Sequence, residues 1–112
     1  MIVYSEPFDK TVLQEMQAHF FGDMVKGVAD VGRGKIALDA EMHSDLEALL
    51  LEDGARQEDL WGFNLYPGLA GDDFLEFDSL INIRPGQGNR SRDVEDPAVR
   101  KAIADLVGRL CR

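Results

Sequence analysis

The apolar positions along the chain change period several times, and each change marks an element. Ile2 to Tyr4 is a short strand candidate, halted near Pro7. Val12, Leu13, Met16 and Phe20 then follow the helical period, with Asp9 as a capping residue and Gly22 as the stop. His19, beside Met16 and Phe20, is expected to border the core. Further on, Ile36, Leu38, Ala40 and Met42 alternate with Lys35, Ala37, Asp39 and Glu41, the period of a half-buried strand. With the preceding "MVKGVADVGRG" this predicts a β-hairpin whose two-residue turn is Gly32-Arg33, glycine first as a type II′ turn prefers. That register sets Val31 against Gly34, Asp30 against Lys35, Ala29 against Ile36 and Lys26 against Asp39. Charges and apolar groups match at once.

The second half repeats the alternation of helix and hairpin. "SDLE", Ser44 to Glu47, has the form of a capping box, and Leu46, Leu49 and Leu50 supply the stripe of a helix ending at Gly54. Trp61, Phe63 and Leu65 predict one face of a strand, and "YPGLAGDD" a turn. The returning strand is expected to bury Leu75, Phe77, Ile81 and Ile83 and to show Glu76, Asp78, Asn82 and Arg84 on its other side. Asp96-Pro97 provides an N-cap and a first-turn proline for an amphipathic helix carrying Val99, Ile103, Leu106, Val107 and Leu110. The order β-α-β-β-α-β-β-α predicts an α+β domain of two layers, a mainly antiparallel sheet of about five strands with three helices on one face. Trp61, Phe63, Phe77, Ile81 and Ile83 should then pack on the last helix through Ile103, Leu106 and Leu110.

Composition narrows the class. A chain of 112 residues, 45% hydrophobic and 29% charged, is expected to form a single ordinary globular domain. Its one cysteine, Cys111, excludes an internal disulfide framework and any cysteine-based zinc cluster, and suits a reducing cytosol. "MIVYSEPFDK" lacks the basic and apolar regions of a signal peptide, and no apolar run approaches membrane-spanning length. A cytoplasmic location is expected. The formal net charge of −9 argues against general nucleic-acid binding. That charge is uneven. Residues 1–83 carry 5 basic and 17 acidic side chains, a net of −12, whereas residues 84–112 carry 7 and 4, a net of +3.

The changeover falls in "SLINIRPGQGNRSR", which directs attention to Arg84, Arg90 and Arg92. Arginine forks suit bidentate contacts to phosphate or carboxylate, and Gly86 and Gly88 allow backbone amides close to such an anion. The loop has neither the Gly-Lys-Ser/Thr of a phosphate-binding Walker loop nor the glycine offsets of a dinucleotide fingerprint. Asp93, Glu95 and Asp96 follow at once and offer an internal alternative to an external anion. A second candidate is the polar face of the last hairpin, with Asn64, Tyr66, Glu76, Asp78 and Asn82 beside Arg84; a carboxyl there can serve as acid or base if burial raises its pKa. Asp39, Glu41 and His43 share one strand face, but a solvated, salt-bridged face is preferred there over a metal site. No serine- or cysteine-based catalytic arrangement is suggested, and no cofactor is implied.

"EALLLEDGARQEDLWGFNLYP", "FDSLINIRPGQGNRSR" and "VEDP" resemble a small prokaryotic family known only as a domain of unknown function. The resemblance spans nearly the whole chain and implies no activity, ligand or catalytic residue. The expectation from the residues themselves is a binding domain for a small phosphate- or carboxylate-bearing ligand. Arg84, Arg90 and Arg92 would clamp it, with Asn82 and Asn89 orienting it and Asn64, Tyr66, Glu76 and Asp78 alongside. A protein-interaction module, docking an acidic partner or a second copy of the chain, is the alternative; an enzyme acting on a phosphorylated small molecule is the third.

Overall fold

The computed structural model describes residues 1–112. Eight main elements follow in the predicted order: β1 (Ile2–Tyr4), α1 (Val12–Gln17), β2 (Val25–Asp30), β3 (Lys35–Leu38), α2 (His43–Glu52), β4 (Leu60–Leu65), β5 (Leu75–Glu76) and α3 (Pro97–Leu110). The five strands form one sheet in the order β1-β3-β2-β4-β5, with every neighbouring pair antiparallel. The class is α+β. No helix is long and apolar enough to cross a membrane.

The layering differs from the expectation of helices on one face. Successive residues of a strand face opposite sides of a sheet, and here both sides are covered. Ala29, Ile36, Leu38, Trp61, Phe63 and Leu65 join one apolar cluster with Leu13 and Met16 of α1 and with Ile103, Leu106, Val107 and Leu110 of α3. Their strand neighbours Val28, Ala37 and Leu60 join a second cluster with Leu46 and Leu50 of α2. The central strands are therefore buried on both sides, which is why β4 is buried along its whole length.

The β2–β3 register is the predicted one: Asp30 lies against Lys35 and Ala29 against Ile36. The charge pairs drawn from it do not form. Asp30 is enclosed and caps its own turn, accepting from the Gly32 and Arg33 amides at 3.1 Å each and from Arg33 Nε at 2.6 Å. The connection is thus the four residues Val31–Gly34, with Gly34 at φ +67°, rather than a two-residue turn at Gly32-Arg33. Lys35 turns to Asp53 at 3.0 Å. Asp39 ends β3 in a left-handed conformation, φ +77°, which swings its carboxylate away from Lys26 to accept a 2.7 Å bond from His19 Nδ1–H.

Three further expectations are corrected. α1 stops at Gln17, leaving Phe20 and His19 exposed. α2 starts at His43 after an extended Met42, so Ser44 lies inside the first turn and makes no capping bond. Beyond Glu76 the chain is not a strand: Leu80–Asn82 is a 3₁₀ turn, Ile83 is exposed, and half-buried Ile81 packs on the α2 side of the sheet, away from α3. Two polar side chains explain that turn. Ser79 Oγ accepts from the Ile81 amide at 3.3 Å, and fully buried Asn82 turns inward to β4. Its Oδ1 accepts from Gly62 N–H at 2.8 Å, while Nδ2 donates to Gly62 C=O at 3.0 Å and to Arg92 C=O at 3.1 Å. A side-chain amide thereby takes the place of a neighbouring strand's peptide. The approach requires glycine at 62, where a Cβ would stand 2.5 Å from Ser79 Cβ. At the other end of the loop, Asp96 caps α3 as predicted, accepting from the Ala98 amide at 2.8 Å.

Candidate functional site

The predicted site residues fall into two groups that meet at Arg92. The first is the arginine loop, whose polar groups are largely spent within the chain. Backbone bonds between Arg84 and Asn89, at 2.7 and 3.2 Å, close it across the short turn Pro85–Gln87. The Arg84 guanidinium stacks on Trp61, 4.1 Å from the ring centroid, and donates to the carbonyls of Gln57 and Leu60. Burial pulls its pKa below the ordinary arginine value, and its Nε is enclosed with no partner. It is a clasp between the loop and β4. Asn89 is buried, with its Nδ2 donating to the carbonyls of Asn82, Ser91 and Asp93 and its Oδ1 accepting from the Glu95 amide at 2.8 Å.

The anion position of the loop is also filled from within. Glu95 Oε2 accepts from the Arg90 amide at 2.6 Å, the Ser91 amide at 2.9 Å and Ser91 Oγ at 3.1 Å. Successive amides of this kind form the concavity that binds phosphate elsewhere. They hold the Glu95 carboxyl below the usual carboxylate range. Asp93 pairs with Arg100, and Arg92 with Asp78 at 2.6 Å. Arg90 is exposed and its side chain makes no ion pair. The three arginines therefore point to three different environments.

The second group is assembled on the α2 side of the sheet, over β2, β4 and β5, where a cleft of about 410 Å³ opens. Asn64, Tyr66, Glu76, Asp78 and Arg92 all line it. Cross-strand register explains the convergence: Lys26 on β2 lies against Asn64 on β4, which lies against Glu76 on β5. The three form a row on one face. Asn64 is buried and donates through Nδ2 to Glu76 Oε1 at 2.9 Å and to Asp78 C=O at 3.2 Å, while its Oδ1 has no partner. Tyr66 O–H donates to the same Glu76 oxygen at 2.9 Å; burial, then this hydrogen bond to Glu76 and its charge, pushes the phenol up to about 12. Glu76 Oε2 accepts no hydrogen bond, and no cation pairs with this carboxylate.

The register also brings in residues that the sequence reading had used elsewhere. Lys26 makes no ion pair, and its ammonium lies 4.9 Å from the Phe21 ring centroid. His43, at the first turn of α2, is buried at the cleft wall and donates from Nε2 to Phe63 C=O at 2.9 Å. Burial pulls its pKa below the ordinary histidine value, so near neutral pH the ring is uncharged and Nδ1 is an acceptor. Ser44 stands beside it at a helix start that has no side-chain cap. Met42 and Leu80, both exposed, form an apolar rim.

Asp39, Glu41 and His43 do not converge, because Asp39 turns to His19 while His43 turns to Phe63. Cys111 is half-buried, and burial pushes its thiol up to about 11, which leaves it protonated and weakly nucleophilic.

No curated protein and no solved structure matches the chain. The sequence model of one family, described as "Protein of unknown function (DUF5674)", matches residues 2–110. With every residue of the sheet and its three helices inside that match, the chain belongs to the DUF5674 family.

Proposed function

We propose that the protein binds a small acid, carboxylate- or phosphate-bearing, in the cleft over β2, β4 and β5. The observation that carries this reading is the convergence of Lys26 and Arg92 on one concave surface walled by buried His43 and Asn64. Lys26 has no anionic partner of its own, and Arg92 uses only Nε toward Asp78, so both retain donors for a ligand. The uncapped start of α2 adds a favourable dipole at the same rim. Compared with the sequence expectation, the anion shifts from the loop, where Glu95 already sits, to the cleft beside it.

Thermal shift at fixed ionic strength, over a panel of small carboxylates and phosphates, tests this. Binding to the native state alone stabilises it by about 2.7 kcal/mol at one hundred times the dissociation constant. Lys26→Ala and Arg92→Ala should each reduce that gain, and Arg90→Ala should leave it intact. A panel without effect, or a gain that survives both cleft substitutions, overturns the reading.

The apolar rim favours one alternative. Met42 and Leu80 are 52% and 66% exposed at the mouth of the cleft, as expected where the occupant is a side chain of a protein partner or a second copy. Sedimentation at rising concentration distinguishes self-association: a dimer that forms with wild type and is dispersed by Leu80→Ser supports this alternative, and a monomer at every concentration removes the second copy as occupant.

A further inference from the structure

The charges lining the cleft are balanced, and their placement restricts what kind of acid fits. Arg92 and Asp78 pair with each other. Lys26 and Glu76 remain, each without an oppositely charged partner, on either side of Asn64 in the cross-strand row. Adjacent strands stand about 4.8 Å apart, so the backbones of Lys26 and Glu76 are separated by about 10 Å. The cleft is therefore dipolar, positive toward β2 and negative toward β5.

A simple anion held by Lys26 would also meet the Glu76 carboxylate, whose Oε1 is held by neutral donors only. The acceptors left over point to the missing partner. The exposed Glu76 Oε2 accepts nothing from the chain, Asp78 uses only Oδ1, and His43 is fixed with Nε2–H toward Phe63, leaving Nδ1 as an acceptor near the Asn64 side chain. Three acceptors lining one cleft, two of them charged, are complementary to an ammonium group.

We infer that the ligand of this cleft is a small zwitterion, an amino acid or similar amino-bearing acid, with its acid group toward Lys26 and its ammonium toward Glu76. The inference rests on the small-acid reading above and adds the second, cationic end. Apolar Met42 and Leu80 at the rim would then face the remainder of the molecule, which suits a hydrocarbon side chain better than a second charge.

Isothermal titration with matched pairs separates the two claims. A set of free amino acids with aliphatic side chains is compared with their N-acetyl forms, which keep the acid and lose the ammonium, and with their amides, which do the reverse. The free forms should bind about tenfold or more tightly than either, as the loss of one charge-assisted hydrogen bond requires. Glu76→Gln, which retains an acceptor for Tyr66 and Asn64, should abolish the preference for the free amine by weakening the free forms and, with the repelling carboxylate gone, strengthening the N-acetyl forms. N-acetyl forms binding as well as free ones would overturn the zwitterion while leaving the small-acid reading standing. No acid binding in either form would overturn both. Circular dichroism of the variant confirms that it is folded.

Discussion

Replacing Asn82 by alanine should be among the most damaging single changes in the loop region, and its size follows from three bonds. The Asn82 side chain is fully enclosed and satisfies both peptide groups of Gly62 as well as Arg92 C=O. Alanine removes all three partners. Arg92 is exposed, so water can reach its carbonyl, but Gly62 is buried beneath Ser79 and stays dry. A buried polar group left without a partner costs about 1–3 kcal/mol, so two of them imply a loss of about 2–6 kcal/mol. Against a total stability of about 5–15 kcal/mol that is a large share. Urea unfolding followed by the fluorescence of Trp61, on the adjacent residue of β4, reports it directly. Asn82→Asp is the informative companion. It keeps an acceptor for Gly62 N–H but turns a second oxygen on two carbonyls, so at neutral pH it should be at least as destabilising as alanine. A loss below about 1 kcal/mol for either variant would refute the claim that this amide substitutes for a strand, since it would lie beneath the cost of a single unpaired group.

Other expectations follow from the same geometry. Gly62→Ala should destabilise by about 1–3 kcal/mol through overpacking against Ser79, and Ser79→Gly should restore part of it in denaturant unfolding. Ile81→Ala should cost only about 1–2 kcal/mol, below the range for a fully packed isoleucine, because the side chain is half-buried. Glu95 is held below its ordinary value of 4.5, so its contribution is present above that pH and is lost as pH falls through the lower folded value; Glu95→Gln should flatten the acid limb of the stability curve. His43 is also lowered, from 6.5, so its neutral form stabilises the fold above that pH and the contribution is lost as pH falls toward the folded value; a folded His43→Gln variant should show less dependence in that window.

Local periodicity carried most of the fold. The alternation of Ile36 and Leu38 with Lys35 and Ala37 located β3 and its register with β2, and the stripe of Ile103, Leu106, Val107 and Leu110 located α3. Periodicity failed where side chains replaced backbone interactions. Ile81 and Ile83 continue an alternating pattern, yet Ser79 and Asn82 bend the chain into a turn, and nothing in the spacing distinguishes an inward asparagine from a solvated one. The second apolar layer was hidden for a related reason. Val28 and Ala37 are small residues between larger ones, and they read as the bland side of a half-buried strand until α2 is seen to cover them.

The candidate site was partly legible for the same reasons. Asn64, Tyr66, Glu76 and Asp78 were placed on one polar face, and they line the cleft with Arg92. Lys26 and His43 were missed because the pairing of β2 with β4, which sets Lys26 beside Asn64, joins segments of the chain far apart in sequence. The positive charge at the changeover does not gather at one point. Arg84 is drawn inward by Trp61 and two carbonyls, and Glu95 fills the amide concavity that the glycines suggested.

The central claim is that the cleft over β2, β4 and β5, and not the arginine loop, is the binding surface. Titration of the isotopically labelled protein with aliphatic amino acids, followed by amide and side-chain resonances, tests it most directly. Shifts concentrated at Lys26, His43, Asn64, Glu76 and Arg92, with Arg84 and Arg90 unmoved, are the predicted result; shifts centred on Arg84 to Arg90, or none at saturating ligand, would contradict it.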